Sequence, residues 1–136
     1  MTRSIAFDVI GVPKAQGSKR AFVVGGKARM IEQLKDNGWR DSVAREARTF
    51  AAEQFTGPIR VDVTFNMPRP KSRPKSHHGW HTTSPDIDKL LRSVFDGITA
   101  SGLWRDDALV CEVHAKAIES AAWTGCSITI TELDVS

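Results

Sequence analysis

Asp86 and Asp88, with Asp106-Asp107 further on, are the residues whose type and spacing could do chemistry here. Carboxylates that converge raise one another's pKa unless a cation neutralises them. An all-oxygen set of this kind suits Mg²⁺, with Mn²⁺ able to substitute and waters completing the octahedron. Such an ion activates water and stabilises charge on a phosphodiester in transit. On spacing alone, structural roles account for these acids more readily. Asp86 at a helix start would stabilise the macrodipole by ~0.3–1 kcal/mol. Asp88 would pair with Arg92 at i, i+4, Asp106-Asp107 would be a turn, and Asp96 reads as a solvated helix residue. His77-His78 with His81 is a second candidate for a metal. It falls in a segment with no fixed ligand geometry, so phosphate contact or plain solvation is the favoured reading.

Those acids need elements to position them. Ile87, Leu90, Leu91, Val94, Phe95 and Ile98 fall at i, i+3, i+4, i+7, i+8 and i+11, one apolar stripe of a helix. Ser84 suits its N-cap and Pro85 its first helical position, and Ser101-Gly102 ends it. Residues two apart on a regular helix point about 200° from each other. Asp86 and Asp88 therefore share a side only if Asp86 sits in an irregular first turn, and Asp107 joins them only if the next strand runs back along the helix. Upstream, residues 5–10 and 59–67 alternate as half-buried strands. Residues 37–55 carry Trp39, Val43, Ala47, Phe50 and Gln54 at helical spacing until Gly57-Pro58. Phe22-Val23-Val24 and Ala28-Arg29-Met30 flank Gly25-Gly26 as a small hairpin. The prolines and charges of residues 68–84 argue against a packed element and for a basic flexible loop. Residues 109–118 and 126–131 read as two final strands.

The expectation is one α+β domain over residues 1–136, a small mixed sheet with two packed helices in the order β-α-β-α-β-β. Helical crossovers predict parallel neighbours among the first three strands, and the short last connection predicts an antiparallel hairpin.

Composition narrows the function classes. The 136 residues are 40% hydrophobic and 26% charged with a net charge of +3, ordinary for one globular domain. No apolar run approaches the ~20 residues of a membrane helix. Met1-Thr2-Arg3-Ser4 leads into alternating residues rather than a signal region, so a cytoplasmic protein is expected. The absence of Tyr excludes a tyrosine nucleophile of the DNA-joining kind. Cys111 and Cys126 lack zinc spacing and read as small buried residues of the final hairpin. The stretch from Gly11 through Gly17-Ser18-Lys19 superficially resembles a phosphate-binding P-loop, but its order is wrong. Charge is uneven: residues 1–83 hold 15 Lys and Arg against 7 Asp and Glu, whereas residues 84–136 hold 4 against 9. A basic half to hold a polyanion and an acidic cluster to hold a metal is the division of labour a nuclease requires.

Three short blocks carry a resemblance. Pro85-Asp86-Ile87-Asp88-Lys89-Leu90, Phe95-Asp96-Gly97-Ile98 and Gly102-Leu103-Trp104-Arg105-Asp106-Asp107, with Val110 following, resemble the RusA family of Holliday-junction resolvases. Those enzymes are common in phages and prophages, and the His81-Thr82 approach resembles phage members. The specific match covers residues 81–118. The resemblance implies a catalytic trio of Mg²⁺-binding aspartates at Asp86, Asp88 and Asp107. It also implies a homodimer that makes paired nicks across a four-way DNA junction. The family's helix Lys falls on Arg92, which keeps the charge but does not donate a proton at neutral pH. Lys89 stands where many members carry Asn. The pair reads as rearranged, with Arg92 clamping phosphate and Lys89 supplying the ammonium. Lys14, Lys19, Arg20, Arg69, Lys71, Arg73 and Lys75 are the expected phosphate contacts, and arm selection is expected from junction shape rather than base edges. Trp80 reads as a loop anchor in preference to a stacking surface. Two rival readings stand beside this one: a non-catalytic branched-DNA-binding module of the same fold, and a related metal nuclease acting on flaps or RNA.

Overall fold

A computed structural model describes residues 2–15, 22–24, 27–29 and 37–134. Strand β1 is Ser4–Ile10, the hairpin strands β2 and β3 are Phe22–Val24 and Lys27–Arg29, and helix α1 is Asn37–Arg48. Then follow β4 (Ile59–Pro68), β5 (His78–Trp80) and helix α2 (Ile87–Ser101). A 3-10 turn at Asp107–Leu109 leads into β6 (Val110–Ser120), and β7 is Gly125–Glu132. This is the expected α+β class, and the small hairpin forms where Gly25-Gly26 predicts it.

The main sheet runs β1-β7-β4-β6-β5. β4 and β6 are parallel, as a helical crossover through α2 predicts. The other pairings differ from expectation. β7 lies between β1 and β4, antiparallel to both, so β1 does not touch β4 and the last two long strands form no hairpin. Residues 121–124 are enough to step across β4, a lateral distance of about 10 Å at ~4.8 Å per strand. Alternating hydrophobicity reports which face of a strand is buried, not which neighbour it takes.

One face of the sheet carries the core. Val9, Cys126, Phe65 and Ala117 stand side by side across four strands, and Phe7, Ile128, Val63 and Ala115 form the next row. Val43 and Ala47 of α1 and Leu90, Val94 and Ile98 of α2 pack against these rows, all fully buried. The helices meet at Gly97, where an added Cβ would lie 2.9 Å from the Arg40 carbonyl oxygen and 2.9 Å from Val43 Cβ and Cγ1. The opposite face is polar, with Arg60 bonded to Asp62 at 2.9 Å and its guanidinium 3.6 Å from Glu112 on β6.

Several boundaries shift for local reasons. α1 ends at Arg48 rather than near Phe55, because Arg3 reaches in from β1's approach. Its guanidinium donates to the Phe50 and Glu53 carbonyls and lies 4.3 Å from the centre of the Phe55 ring. Phe50 stacks on Phe7 at 5.6 Å instead of extending the helix. The expected unpacked loop at 68–84 contains β5, paired with the end of β6. Cys126 is buried, and burial together with the charge of Asp8 pushes its thiol up to about 12. Cys111 is exposed, contrary to the buried reading. No helix among the described residues is long and apolar enough to cross a membrane.

Candidate active site

The start of α2 sets the first two carboxylates. Asp86 is its N-cap, extended at φ −69° and ψ 147°, and its carbonyl accepts the first helical bond from the Leu90 N–H at 3.0 Å. Ser84 and Pro85 therefore precede the helix instead of capping and opening it. Asp86 stands off the regular helix, the condition under which it can share a side with Asp88. Both residues are exposed. Lys89 reaches back so that its Nζ is 3.7 Å from Asp86 Oδ2. That pair is too solvated to stabilise the fold appreciably, but it sets an ammonium beside the carboxylate. The expected Asp88–Arg92 ion pair does not form, and Arg92 is an exposed cation one turn along the helix.

Asp107 opens the 3-10 turn beyond the other end of α2. The helix stops because Gly102 takes φ 83°, a left-handed position that suits glycine. Asp106 then caps the turn, its carboxylate accepting from the Ala108 N–H at 3.0 Å. Partial burial of the carboxyl raises the Asp107 pKa above its ordinary range, helped by a hydrogen bond with Asp106 and the charges of Asp106 and Asp96. The residue as a whole is exposed. Asp96, expected to be merely solvated, is half-buried and belongs to this group. Eight residues of helix separate Asp88 from Asp96, about 12 Å along the axis. Among the described residues, no three His, Cys, Asp or Glu side chains are gathered so as to hold a metal. Within one chain the acids thus form two groups, one at each part of α2.

Glu119 was not foreseen. It sits near the end of β6, 6% exposed, between two imidazoles. His77 Nε2 donates to its Oε1 at 3.0 Å, and His81 Nδ1 to its Oε2 at 3.2 Å. Burial alone would raise the Glu119 pKa, but the hydrogen bonds and charge of His77 and His81 outweigh it and hold the carboxyl below its usual range. His81 Nε2 is buried without a partner. His77 and His81 therefore brace a carboxylate, and of these three histidines His78 is the exposed one. Histidine spacing of four hinted at two rings on a common side of an extended segment. Nothing in the sequence named a partner 38 and 42 positions away.

The expected phosphate contacts divide. Lys14, Lys71, Arg73 and Lys75 are exposed. Arg69 is half-buried, its guanidinium bonded to the Pro70 carbonyl at 3.3 Å and to the Arg73 carbonyl, so it holds the turn. Lys19 and Arg20 lie outside the described residues. Two open clefts meet at the segment entering α2. One, of about 620 Å³, includes Lys14, Pro68, His81, Ser84 and Glu119. The other, of about 530 Å³, includes Trp80, Thr82, Asp86, Ile87 and Lys116.

This helix start, the acidic turn after it and the basic loop before it lie inside a match to a family model, Endodeoxyribonuclease RusA, over residues 11–131. The chain belongs to the RusA endodeoxyribonuclease family. It is 32% identical over 126 residues to the uncharacterized protein YqaN of Bacillus subtilis (strain 168), covering 85% of this chain and 88% of that one. It is 26% identical over 117 residues to the crossover junction endodeoxyribonuclease RusA of Escherichia coli (strain K12), with the same coverage. The enzyme of that name from Enterobacteria phage 82 is 23% identical over 117 residues.

Proposed function

We propose that this protein is a Mg²⁺-dependent, structure-selective endodeoxyribonuclease that resolves four-way DNA junctions and other branched DNA by paired phosphodiester hydrolysis. It works as a homodimer in the bacterial cytoplasm. The observation that carries the reading is the pair of exposed carboxylates at the start of α2, Asp86 and Asp88, set beside Lys89 and Arg92 within the family match.

The donor chemistry suits a hard divalent cation. Asp86 and Asp88 offer only oxygens, and partial burial together with the hydrogen bond to Asp106 and the charges of Asp106 and Asp96 raises the Asp107 carboxyl above its usual range, a strain that a cation would relieve. Asp86 and Asp88 would hold the ion, with Mn²⁺ able to replace Mg²⁺, and Asp107, set apart from them within one chain, would join them only across the dimer. When bound, the ion supplies Lewis acidity to the scissile phosphodiester and lowers the pKa of the attacking water. Lys89 and Arg92 stabilise the charge that develops on the phosphoryl oxygens, Arg92 as a fork and Lys89 as a point charge. Lys14, Lys71, Arg73 and Lys75, with Lys19, Arg20 and the turn held by Arg69, bind flanking phosphates without reading sequence. Two sites related by a two-fold axis account for symmetric cuts.

The test is cleavage of a synthetic four-way junction, with and without Mg²⁺, by the wild type and by Asp86→Asn and Asp107→Asn. Loss of cleavage with retained binding in both variants is expected. Retained cleavage in either would discredit the assignment, and wild-type binding without nicking would point to a binding module instead.

A further inference from the structure

The Trp80 side chain lies outside the core. Trp39 and Trp104 are buried, at 5% and 0% exposure, and Trp123 is half-buried, but Trp80 is 68% exposed. The expectation of a loop anchor fails at this residue. A lone exposed apolar side chain ordinarily needs no explanation. This one differs in how it is held. It ends β5, where it pairs with Ile118, and the next residue is fixed by the His81 N–H donating to the Ala117 carbonyl at 3.0 Å. His77 and His81, on either side of β5, are both tied to Glu119. Side chains alternate along a strand, so clamping 77 and 81 inward turns 78 and 80 outward, and the exposures follow that alternation. A buried, doubly bonded carboxylate thus supports a three-residue edge strand whose most prominent product is an indole in water. Edge strands bearing exposed aromatics invite unwanted pairing, so a bare Trp here has a cost that some contact must offset.

Its surroundings indicate which contact. Trp80 lines the same cleft as Asp86, with Ile87 (39% exposed) as a second apolar wall and Lys116 as a cation. The volume of about 530 Å³ falls within the ~300–1,000 Å³ of sites for small organic groups. A planar apolar surface, a cation and hydroxyls from Thr82 and Thr83 match a nucleotide, with its flat base and anionic phosphate. We propose that Trp80 is a stacking platform for a nucleobase splayed out at the branch point, seated beside the carboxylate at the start of α2. Stacking on aromatic side chains tolerates any base, which suits selection by DNA shape. Duplex DNA keeps its bases paired and offers none. The inference rests on the branched-DNA nuclease reading, and it adds a means of telling a junction from a duplex that phosphate contacts alone do not supply.

The experiment uses the full-length protein and four-way junctions carrying 2-aminopurine at the branch point, with a duplex carrying the same base as control. Fluorescence is read in Ca²⁺, chosen to permit binding without turnover, and cleavage in Mg²⁺. The wild type and Trp80→Phe should quench the branch-point probe and leave the duplex probe unchanged. Trp80→Ala should leave the junction probe bright and bind junctions about tenfold more weakly, while losing little duplex affinity. Sedimentation should show one oligomeric state for all three proteins. Equal quenching by the wild type and Trp80→Ala would overturn the proposal. So would a change of oligomeric state in Trp80→Ala, which would make the indole a protein contact. Asp86→Asn separates the two claims: quenching without cleavage leaves stacking intact, and a wild type that quenches but never nicks removes the nuclease reading alone.

Discussion

Replacing Gly97 by Ala sets two opposing effects against each other at the point where α1 and α2 touch. In a helix interior Ala is favoured over Gly by about 1 kcal/mol, through the lower conformational freedom of the unfolded chain. Against this, the new methyl would lie 2.9 Å from the Arg40 carbonyl oxygen and 2.9 Å from two atoms of Val43. Val43 is fully buried, and the carbonyl belongs to the helix backbone, so neither can rotate aside. Overpacking of that kind costs ~1–3 kcal/mol, and a backbone partner puts this site at the upper end. The balance is a destabilisation of about 2 kcal/mol, or a fall in Tm of about 6 °C for a domain of this size. Thermal unfolding followed by circular dichroism measures it, and urea unfolding should give an unchanged slope. The displaced helix carries Asp86, Asp88 and Arg92, so junction cleavage should fall more than junction binding. A Tm equal to or above wild type would refute the reasoning, since helix propensity would then have won and the helix contact would have slack.

Glu119→Ala leaves two histidines without their acceptor and should destabilise by about 2 kcal/mol at neutral pH. Because the folded pKa of Glu119 lies below its ordinary 4.5, its ionised form contributes stability above that value and the contribution fades as pH falls through the folded pKa. The Tm difference between wild type and Glu119→Gln should therefore shrink on acidification; a difference that grows would contradict the sign. Lys89→Ala and Arg92→Ala should each slow cleavage at least about tenfold with stability within ~0.5 kcal/mol of wild type. Full activity in both would end the rearranged-pair idea. Removing Lys71, Arg73 or Lys75 should weaken binding uniformly across sequences and lower the salt slope by about 1 each, and an unchanged slope would remove that residue from the DNA path. Asp86→Asn and Asp107→Asn subunits, inactive alone, should regain nicking at one site when mixed. About 12 Å of helix separates the two acidic groups within a chain, and only ions shared between protomers survive that mixture.

How much of this was legible in the sequence varies with the kind of interaction involved. The stripe of α2 was readable because Leu90, Val94 and Ile98 repeat with the helix, and all three are buried. β4 was readable for the same reason at a period of two. Strand neighbours were not, since Val9, Cys126 and Phe65 carry no label saying that β7 stands between the other two strands. β5 was hidden because prolines and charges dominate its flanks, and its order comes from β6. The acids were recognisable by their blocks, but periodicity did not reveal that Asp107 shares charge with Asp96. Glu119 was invisible, because a buried carboxylate looks like any surface Glu until its distant histidines are placed.

The insertion of β7 between β1 and β4 bears on when the protein can come into being. β1 and β4 emerge from the ribosome with no shared neighbour until residues 125–132 arrive, and Gly125 must then fit so closely that a Cβ would lie 2.0 Å from the Val9 carbonyl oxygen. A nascent chain halted before Gly125 would lack the middle of its sheet although every acidic and basic residue discussed here had already been synthesised. Protease resistance should therefore appear only once that strand has cleared the exit tunnel.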